Sequence, residues 1–189
     1  MLSLRKNLVQ IGLKSKFHTV SPQLFKAGDK ITGQFPGLVE DSPGNAVDLA
    51  KDLSQYKKAI VVQVPGAFSP ACSASHIPGY LSQLQKFHDK GVQEIVFTTV
   101  NDPFVTKAWK KDLKFPEGAK AGVKLLADSE GSFAKSGDSL FDDSVKFFGN
   151  KRGTRTALVV ENGEIKQVFE EPDKAGVNVS SADNVLKHL

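Results

Sequence analysis

The apolar positions of the chain fall into short continuous runs that predict the strands of a sheet. The first run is β-branched, uninterrupted and stopped by Pro65-Gly66, which is typical of a central strand buried on both faces. Asn162-Gly163, a strong hairpin signal, separates the last two runs, which we therefore expect to pair antiparallel. The five predicted strands are Ala59–Val64, Glu94–Val100, Val123–Ala127, Arg155–Val160 and Glu164–Phe169.

Apolar residues at spacings of three and four predict helices between these strands. The predicted helices are Val47–Leu53, Ser73–Gly91 with a kink at Pro78, Asp102–Trp109, and a closing helix that opens at Ser180-Ser181. The segment Gly28–Gly44 is rich in glycine and proline and predicts turns and short extended pieces. The order β-α-β-α-β-β-β-α predicts an α/β fold, in which a central mixed sheet carries helices on both faces and a hairpin near the C-terminus. This arrangement resembles the thioredoxin fold.

Length and composition predict one ordinary globular domain. The 189 residues suit a single core with some residues left over, and the apolar (40%) and charged (24%) fractions are near the averages for soluble proteins. No stretch approaches the roughly 18 uninterrupted apolar residues of a membrane span, so no membrane insertion is predicted.

The formal net charge of +4 is concentrated at the start of the chain. The first 28 residues contain five of the 25 basic residues and no acid, so the remainder holds 20 basic and 21 acidic residues. A nearly neutral domain lacks the basic stripe of a nucleic-acid-binding protein, and no nucleic-acid partner is predicted.

The acid-free opening predicts a division into a mitochondrial targeting leader, residues 1–28, and a folded domain, residues 29–189. Leucines alternate there with basic and hydroxyl residues, which is the amphipathic, cationic pattern of a mitochondrial presequence. The segment lacks the unbroken apolar core of about 7–15 residues that a secretory signal needs. We therefore expect a location in the mitochondrial matrix. The alternatives are a cytoplasmic protein with a solvated basic tail and a peroxisomal protein, since the terminal Lys187-His188-Leu189 faintly resembles a peroxisomal signal.

Cys72, the single cysteine of the chain, is the candidate reactive residue. It follows the strand Ala59–Val64 across a loop of proline, glycine and hydroxyl residues, and it lies in the first turn of a predicted helix. Unpaired backbone N–H groups and the positive end of the helix dipole favour the thiolate there, which is the nucleophilic form of cysteine. A lone cysteine is more often a small buried apolar residue, but a core cysteine does not need such a loop.

The segment Pro65-Gly-Ala-Phe-Ser-Pro-Ala-Cys-Ser-Ala-Ser-His76 resembles the active-site segment of type II peroxiredoxins, whose signature is Pro-x-x-x-Thr/Ser-x-x-Cys. Pro65, Ser69 and Cys72 match that signature, and serine keeps the hydroxyl of the commoner threonine. The similarity continues in the family's order through Val100–Phe104, Trp109, Asp128–Phe133 and Arg155–Gly163. It implies a thioredoxin-like fold and a one-cysteine, thiol-dependent peroxidase that reduces hydrogen peroxide and organic hydroperoxides.

The same resemblance implies a role for each matching residue. Cys72 is the peroxidatic cysteine, Ser69 supplies a hydroxyl beside it, Pro65 shields the thiolate, and Arg155 is the distant basic residue that approaches the sulfur. Without the family, Arg155 reads equally well as one of a run of surface cations. His76 belongs to the motif and helps to order the site, whereas an isolated histidine is more often structural.

The resemblance also implies the partners of the protein. Because the chain has no second cysteine, an external thiol must reduce the oxidised Cys72, and either glutaredoxin with glutathione or thioredoxin serves that purpose. Many relatives are homodimers packed near the active-site face, so we expect a homodimer. Trp109, Phe104 and Phe87 read as core or dimer-interface residues.

Other chemistries are weakly supported. The histidines lack metal-binding spacing and no glycine fingerprint follows the first strand, so neither a metal nor a nucleotide cofactor is predicted. Cys72-Ser-Ala-Ser75 also fits the C-x-x-S motif of a monothiol glutaredoxin-like transferase, which is the alternative function. Such transferases typically carry a cis-proline where this chain has Gly153-Thr154-Arg155, which disfavours that alternative. A relative that kept the fold but lost turnover is the second alternative.

Overall fold

A computed structural model describes residues 25–189 and contains one six-stranded mixed sheet and a separate two-stranded ribbon. The strands of the large sheet are β1 (Leu38–Glu40), β2 (Ala59–Gln63), β3 (Glu94–Thr99), β4 (Gly122–Asp128), β7 (Thr156–Glu161) and β8 (Glu164–Glu170), and those of the ribbon are β5 (Leu140–Phe141) and β6 (Arg152–Gly153). The α-helices are α1 (Leu49–Gln55), α2 (Ile77–Leu81), α3 (Leu84–Asp89), α4 (Pro103–Asp112), α5 (Ser132–Ser136), α6 (Val145–Phe148) and α7 (Ala182–Lys187). A π-helical turn, Cys72–His76, precedes α2, and a 3₁₀ turn, Asp142–Ser144, precedes α6.

The strands follow the order β1-β4-β3-β2-β7-β8, which places β2 and β3 at the centre. β2, β3 and β4 are parallel, whereas β1, β7 and β8 join the sheet antiparallel to their neighbours. The predicted mixed sheet, the helices around it and the C-terminal hairpin are therefore confirmed. At the hairpin tip Asn162 and Gly163 have φ values of 50° and 79°, the left-handed conformation that a type I′ turn requires.

The central strands bury both faces because successive side chains point to opposite sides of the sheet. On one side Ile60 and Phe97 join a core with Trp109 of α4. On the other side neighbouring strand residues pack with Leu53 of α1 and Phe133 of α5. The uninterrupted apolar runs in the sequence are thus the expected consequence of a sheet covered on both faces.

Two predicted regions differ in detail from the structure. The segment Gly28–Gly44, predicted as turns and short extended pieces, contains a strand of three residues, β1, which pairs with β4 and is bridged on its other side by Ala46 through Val39. The turn predicted after β4 continues directly into α5. The Asp128 side chain accepts hydrogen bonds from the backbone N–H groups of Phe133 and Ala134, at 3.2 and 3.0 Å, and so stabilises the first turn of that helix.

The helix predicted over Ser73–Gly91 is divided into the π-helical turn, α2 and α3, with a break at Ser82-Gln83. Pro78 has no backbone N–H, and its ring would clash with a carbonyl four residues earlier in a regular α-helix. The chain widens there instead of kinking, so that the N–H of Ile77 bonds to the carbonyl of Cys72, five residues back.

The predicted leader, residues 1–28, lies outside the described residues except for its last four. Phe25 packs on Phe133 with ring centroids 5.1 Å apart, and the N–H of Gly28 donates to the carbonyl of Ile165 at 2.8 Å. The packed domain thus includes Phe25. Across residues 25–189, no helix combines the length and apolar character needed to cross a bilayer.

Candidate active site

Cys72 lies just beyond the C-terminal end of β2, at the start of the π-helical turn. Its side chain has no solvent-exposed surface. The loop before it is tied to this turn because the N–H of Ser73 bonds to the carbonyl of Ser69 at 2.9 Å. The sulfur is therefore held at the edge of the sheet where ligand sites of open α/β folds form.

Arg155 reaches Cys72 because the sheet places them at the same edge. β7 runs antiparallel to β2, so the residue before β7 lies beside the end of β2. The Nη1 atom of Arg155 is 3.3 Å from Cys72 Sγ, and its Nε donates to the carbonyl of Ala175 at 2.8 Å. The arginine is only 2% exposed, so a buried cation rather than a surface one faces the sulfur.

His76 contacts the same guanidinium nitrogen, Nη1, that faces the sulfur. Its Nδ1 lies 3.0 Å from Arg155 Nη1, and because arginine only donates, that nitrogen must be an acceptor. The proton therefore resides on Nε2, which donates to the carbonyl of Ser180 at 3.0 Å. Burial, and then the charge of Arg155, lower the pKa of His76 from 6.5 to about 4, so the imidazole is neutral at physiological pH.

A buried carboxylate completes this network. One oxygen of Glu171 accepts the Ser180 hydroxyl at 2.7 Å and the backbone N–H groups of Asn178 and Ser180 at 2.6 and 2.9 Å. Burial alone would raise the pKa of Glu171, but the hydrogen bonds led by the Ser180 N–H outweigh it and hold the pKa below its usual range. A continuous hydrogen-bonded series thus runs from Glu171 through Ser180 and His76 to Arg155 and the sulfur.

A pocket of about 710 Å³ opens beside this series and is lined by Pro65, Ser69 and Arg155 among others. Pro65 is buried in its wall. The hydroxyl of Ser69 donates to the carbonyl of Gly66 at 2.8 Å, so its lone pairs are available to accept a hydrogen bond from a bound molecule. The four predicted site residues therefore lie at or next to one cavity.

The aromatic residues singled out in the sequence separate into two kinds. Trp109 and Phe87 are fully buried in the core, and Trp109 Nε1 donates to the Ser73 hydroxyl, next to Cys72, at 3.0 Å. Phe104, in contrast, is 68% exposed at the start of α4. Within the described range, residues 25–189, no cluster of histidine, cysteine or carboxylate side chains has the arrangement of a metal site.

Three buried residues in or next to the site could not be found from the sequence. Ser180 was recognised only as a helix start, and Glu171 carried no local signal. Arg152 stood among surface cations in the sequence, yet it is 9% exposed and contacts the loop before Cys72 through Asn101. Their contacts join segments far apart in the chain, which periodicity and motif spacing do not report.

Taken together, this arrangement can hold a thiolate beside a buried guanidinium, next to a cavity large enough for a small molecule. The Arg155 guanidinium donates to the sulfur, and its N–H groups can also bind an oxygen that gains negative charge during a reaction. The geometry suits attack by a thiolate on a polar, oxygen-containing substrate.

We predict that His76 makes the protein acid-sensitive. The unfolded chain takes up a proton on this histidine near pH 6.5 but the folded chain only near pH 4, so acidification across that window favours unfolding, by about 3 kcal/mol in all. Urea unfolding at pH 7 and pH 4.5 should show most of this fall in wild type and a much smaller fall in His76→Gln. The exposed His88→Gln variant is the control, and an equal fall in His76→Gln would contradict the prediction.

Comparisons with known proteins match this chain over nearly all of the described domain. A sequence model of the Redoxin family matches residues 26–186. The chain is 48% identical to Peroxisomal membrane associated protein 20 of Schizosaccharomyces pombe over 152 residues, which are 80% of this chain and 92% of that protein.

Two solved structures show the same fold. Reduced Prx3 from Vibrio vulnificus in complex with H₂O₂ has a TM-score of 0.75 and 30% identity, over 88% of this chain and 100% of that one. Peroxiredoxin 5 from Alvinella pompejana has a TM-score of 0.69 and 34% identity, over 87% of this chain and 99% of that one. The similarity therefore covers the whole sheet and both segments that meet at the cavity.

Proposed function

This chain belongs to the Redoxin family and is a peroxiredoxin, a thiol-dependent peroxidase, and we propose that its Cys72 thiolate reduces hydrogen peroxide and organic hydroperoxides. The observation that carries the proposal is the 3.3 Å contact between Cys72 Sγ and the buried Arg155 guanidinium beside an open pocket. A cation in that position favours the thiolate and leaves further N–H groups to bind a peroxide.

In the first step the thiolate attacks one peroxide oxygen and the O–O bond breaks. The attacked oxygen stays on sulfur as the sulfenic acid of Cys72, and the other leaves with the bonding electron pair and takes up a proton, giving water or an alcohol. Arg155 stabilises the negative charge as it moves from sulfur to the leaving oxygen. The Ser69 oxygen accepts a hydrogen bond from the O–H group of the bound peroxide. Pro65 keeps water from the sulfur.

An external thiol completes the cycle in this proposal. A donor thiolate attacks the sulfenic sulfur and displaces water once the leaving oxygen is protonated, forming a mixed disulfide that a second thiol reduces. The chain supplies no second cysteine for this step. Glutathione with glutaredoxin, or thioredoxin, fits the need for a small or protruding thiol that reaches a buried sulfur.

The test is rapid-quench oxidation of the reduced protein by hydrogen peroxide and by cumene hydroperoxide, followed by mass spectrometry of Cys72. Oxidation on the order of 10³-fold or more faster than that of free cysteine, with one oxygen added at Cys72, is expected. Reduction is then compared with glutathione plus glutaredoxin and with thioredoxin plus its reductase. Oxidation at the rate of free cysteine would contradict the proposal and favour a monothiol transferase, whose activity the same glutathione assay measures.

We also propose that the protein is a homodimer joined through the face that carries the pocket. Four large apolar side chains are exposed in the described part of the chain, namely Phe68, Phe104, Val145 and Phe147. Two of these, Phe68 and Phe147, line the pocket. Burial of such side chains against a second copy supports association. Sedimentation equilibrium measures it, and a monomer at all concentrations would refute the dimer.

We also propose a mitochondrial location, which is supported by the basic and amphipathic composition of residues 1–28. Because Phe25 packs in the domain, we expect any processing to occur before that residue. A fluorescent protein fused after residue 28 should enter the mitochondrial matrix. A cytoplasmic distribution would reject the leader, and peroxisomal targeting of the full chain would favour the C-terminal signal.

A further inference from the structure

Arg152 is a second buried arginine beside the pocket, and the chemistry described so far does not use it. It is 9% exposed and, among the residues that the structure describes, no carboxylate lies within ion-pair distance of it. Burial lowers its pKa, which reflects the cost of a guanidinium held away from water. A protein that keeps such a cation without a counter-ion has a use for its hydrogen bonds.

Those hydrogen bonds lead to the loop before Cys72. The Nη1 atom of Arg152 donates to the carbonyl of Val100 at 2.5 Å and to the side-chain oxygen of Asn101 at 2.9 Å. The same Asn101 oxygen accepts the backbone N–H of Ala67 at 2.9 Å. Arg152 therefore orients the Asn101 side chain, and Asn101 in turn holds Ala67 in the wall of the pocket. Ala67 lies between Pro65 and Ser69 in the sequence.

The guanidinium also lies over a second part of that wall. The carbon at its centre, Cζ, lies 4.8 Å from the centroid of the Phe148 ring, which is a cation–π contact. The ring lies so close to Gly66 that a Cβ atom there would be 2.7 Å from Phe148 Cε1. Phe148 and Ala67 both line the pocket, so one guanidinium holds two of its sides.

We propose that Arg152 is a positioning residue that sets the shape of the hydroperoxide pocket and so determines the rate with bulky organic hydroperoxides. The proposal rests on the peroxidase function given above. Hydrogen peroxide needs only the polar groups at the sulfur, whereas the organic group of a larger hydroperoxide must pack on Phe148 and on the loop at Ala67. Loss of the contacts that Arg152 makes should therefore lower the rate with the larger substrate more than the rate with hydrogen peroxide.

Arginine suits this task and lysine does not. The guanidinium donates from Nη1 to Asn101 and Val100 and from Nε to the side-chain oxygen of Asn150 at 2.7 Å, while its Cζ lies over the Phe148 ring. An ammonium keeps the charge but has neither the fork nor the flat face. Arg152→Lys thus removes the geometry that the proposal invokes and retains the cation near the site.

The test compares second-order rate constants for Cys72 oxidation by cumene hydroperoxide and by hydrogen peroxide in Arg152→Lys, Phe148→Leu and the double variant. We expect the cumene-to-hydrogen-peroxide ratio to fall about tenfold in Arg152→Lys, with the hydrogen peroxide rate within about threefold of wild type. If Arg152 acts through Phe148, the double variant has the ratio of Phe148→Leu alone. Lys151→Gln, at the exposed neighbouring position, is the control and should leave the ratio unchanged.

An unchanged ratio, or equal losses with both peroxides, would overturn the proposal, as would independent, multiplicative effects in the double variant. If Arg152→Lys fails to fold, Asn101→Ala breaks the link to Ala67 with the cation in place, and the same fall in the ratio is expected. Failure of the peroxidase function is recognised separately, because wild type itself would then react slowly with both peroxides.

Discussion

Cys72→Ser should abolish peroxide turnover. The variant keeps the size and burial of the side chain at the start of the π-helical turn, but a serine hydroxyl remains protonated and its oxygen cannot form a sulfenic acid. The chain has no other cysteine that could substitute. Consumption of hydrogen peroxide, measured with the reductant identified for wild type, should fall to the background of the reductant alone.

The neighbouring Ser75→Ala variant is the matched control for this experiment. Ser75 is exposed on the same turn and its hydroxyl donates to the carbonyl of Ala71, so it shares the local helix but not the reaction. This control should retain wild-type turnover, and unchanged circular dichroism should confirm that Cys72→Ser is folded. Turnover by the serine variant above background would show that the reaction does not run through Cys72.

The second large effect is expected at Arg155. Arg155→Ala removes the cation 3.3 Å from Cys72 Sγ and leaves His76 Nδ1 without its donor. Both the thiolate and the developing charge on the leaving oxygen lose their stabilisation, so the second-order rate of Cys72 oxidation should fall about 10²- to 10³-fold. Rapid-quench mass spectrometry of the reduced protein measures this rate without involving the donor thiol.

Arg155→Lys separates charge from geometry at the same position. Lysine keeps the positive charge but cannot bond to Cys72, His76 and the carbonyl of Ala175 with one rigid group, so we expect a smaller loss than in the alanine variant. Because Arg155 is almost fully buried, thermal unfolding must show that each variant is folded. A folded variant that oxidises at the wild-type rate would remove Arg155 from the proposed mechanism.

The sequence correctly predicted those strands and turns that can be recognised from a few consecutive residues. The apolar β-branched sequence of β2 and the Asn162-Gly163 turn can each be recognised within a few consecutive residues, and both predicted the structure correctly. Short extended pieces were predicted around β1, but its place in the sheet was not, because that place depends on pairing with β4, which lies far away in the sequence. The division of the helix after Cys72 was also missed, since Pro78 predicts disruption but not its form.

The candidate site likewise has one part that the sequence predicted and another that depends on contacts between distant segments. The loop from Pro65 to Cys72 is one segment and was visible as a motif. The cations Lys151, Arg152 and Arg155 look alike in the sequence, yet the first is exposed and the other two are buried. Their burial depends on where β6 and the start of β7 lie relative to the end of β2, which follows from the order of strands in the sheet.

The hydrogen bond between Trp109 and Ser73 gives the molecule an optical reporter of its own chemistry. Trp109 is the single tryptophan of the chain, it is fully buried, and its indole N–H bonds to the residue that directly follows Cys72. Indole emission depends on local polarity and hydrogen bonding, and the proposed conversion of the Cys72 thiolate into a sulfenic acid would alter both next to Ser73. We therefore expect intrinsic fluorescence of the unlabelled protein to change on addition of hydrogen peroxide and to recover on reduction, if Cys72 follows the proposed cycle.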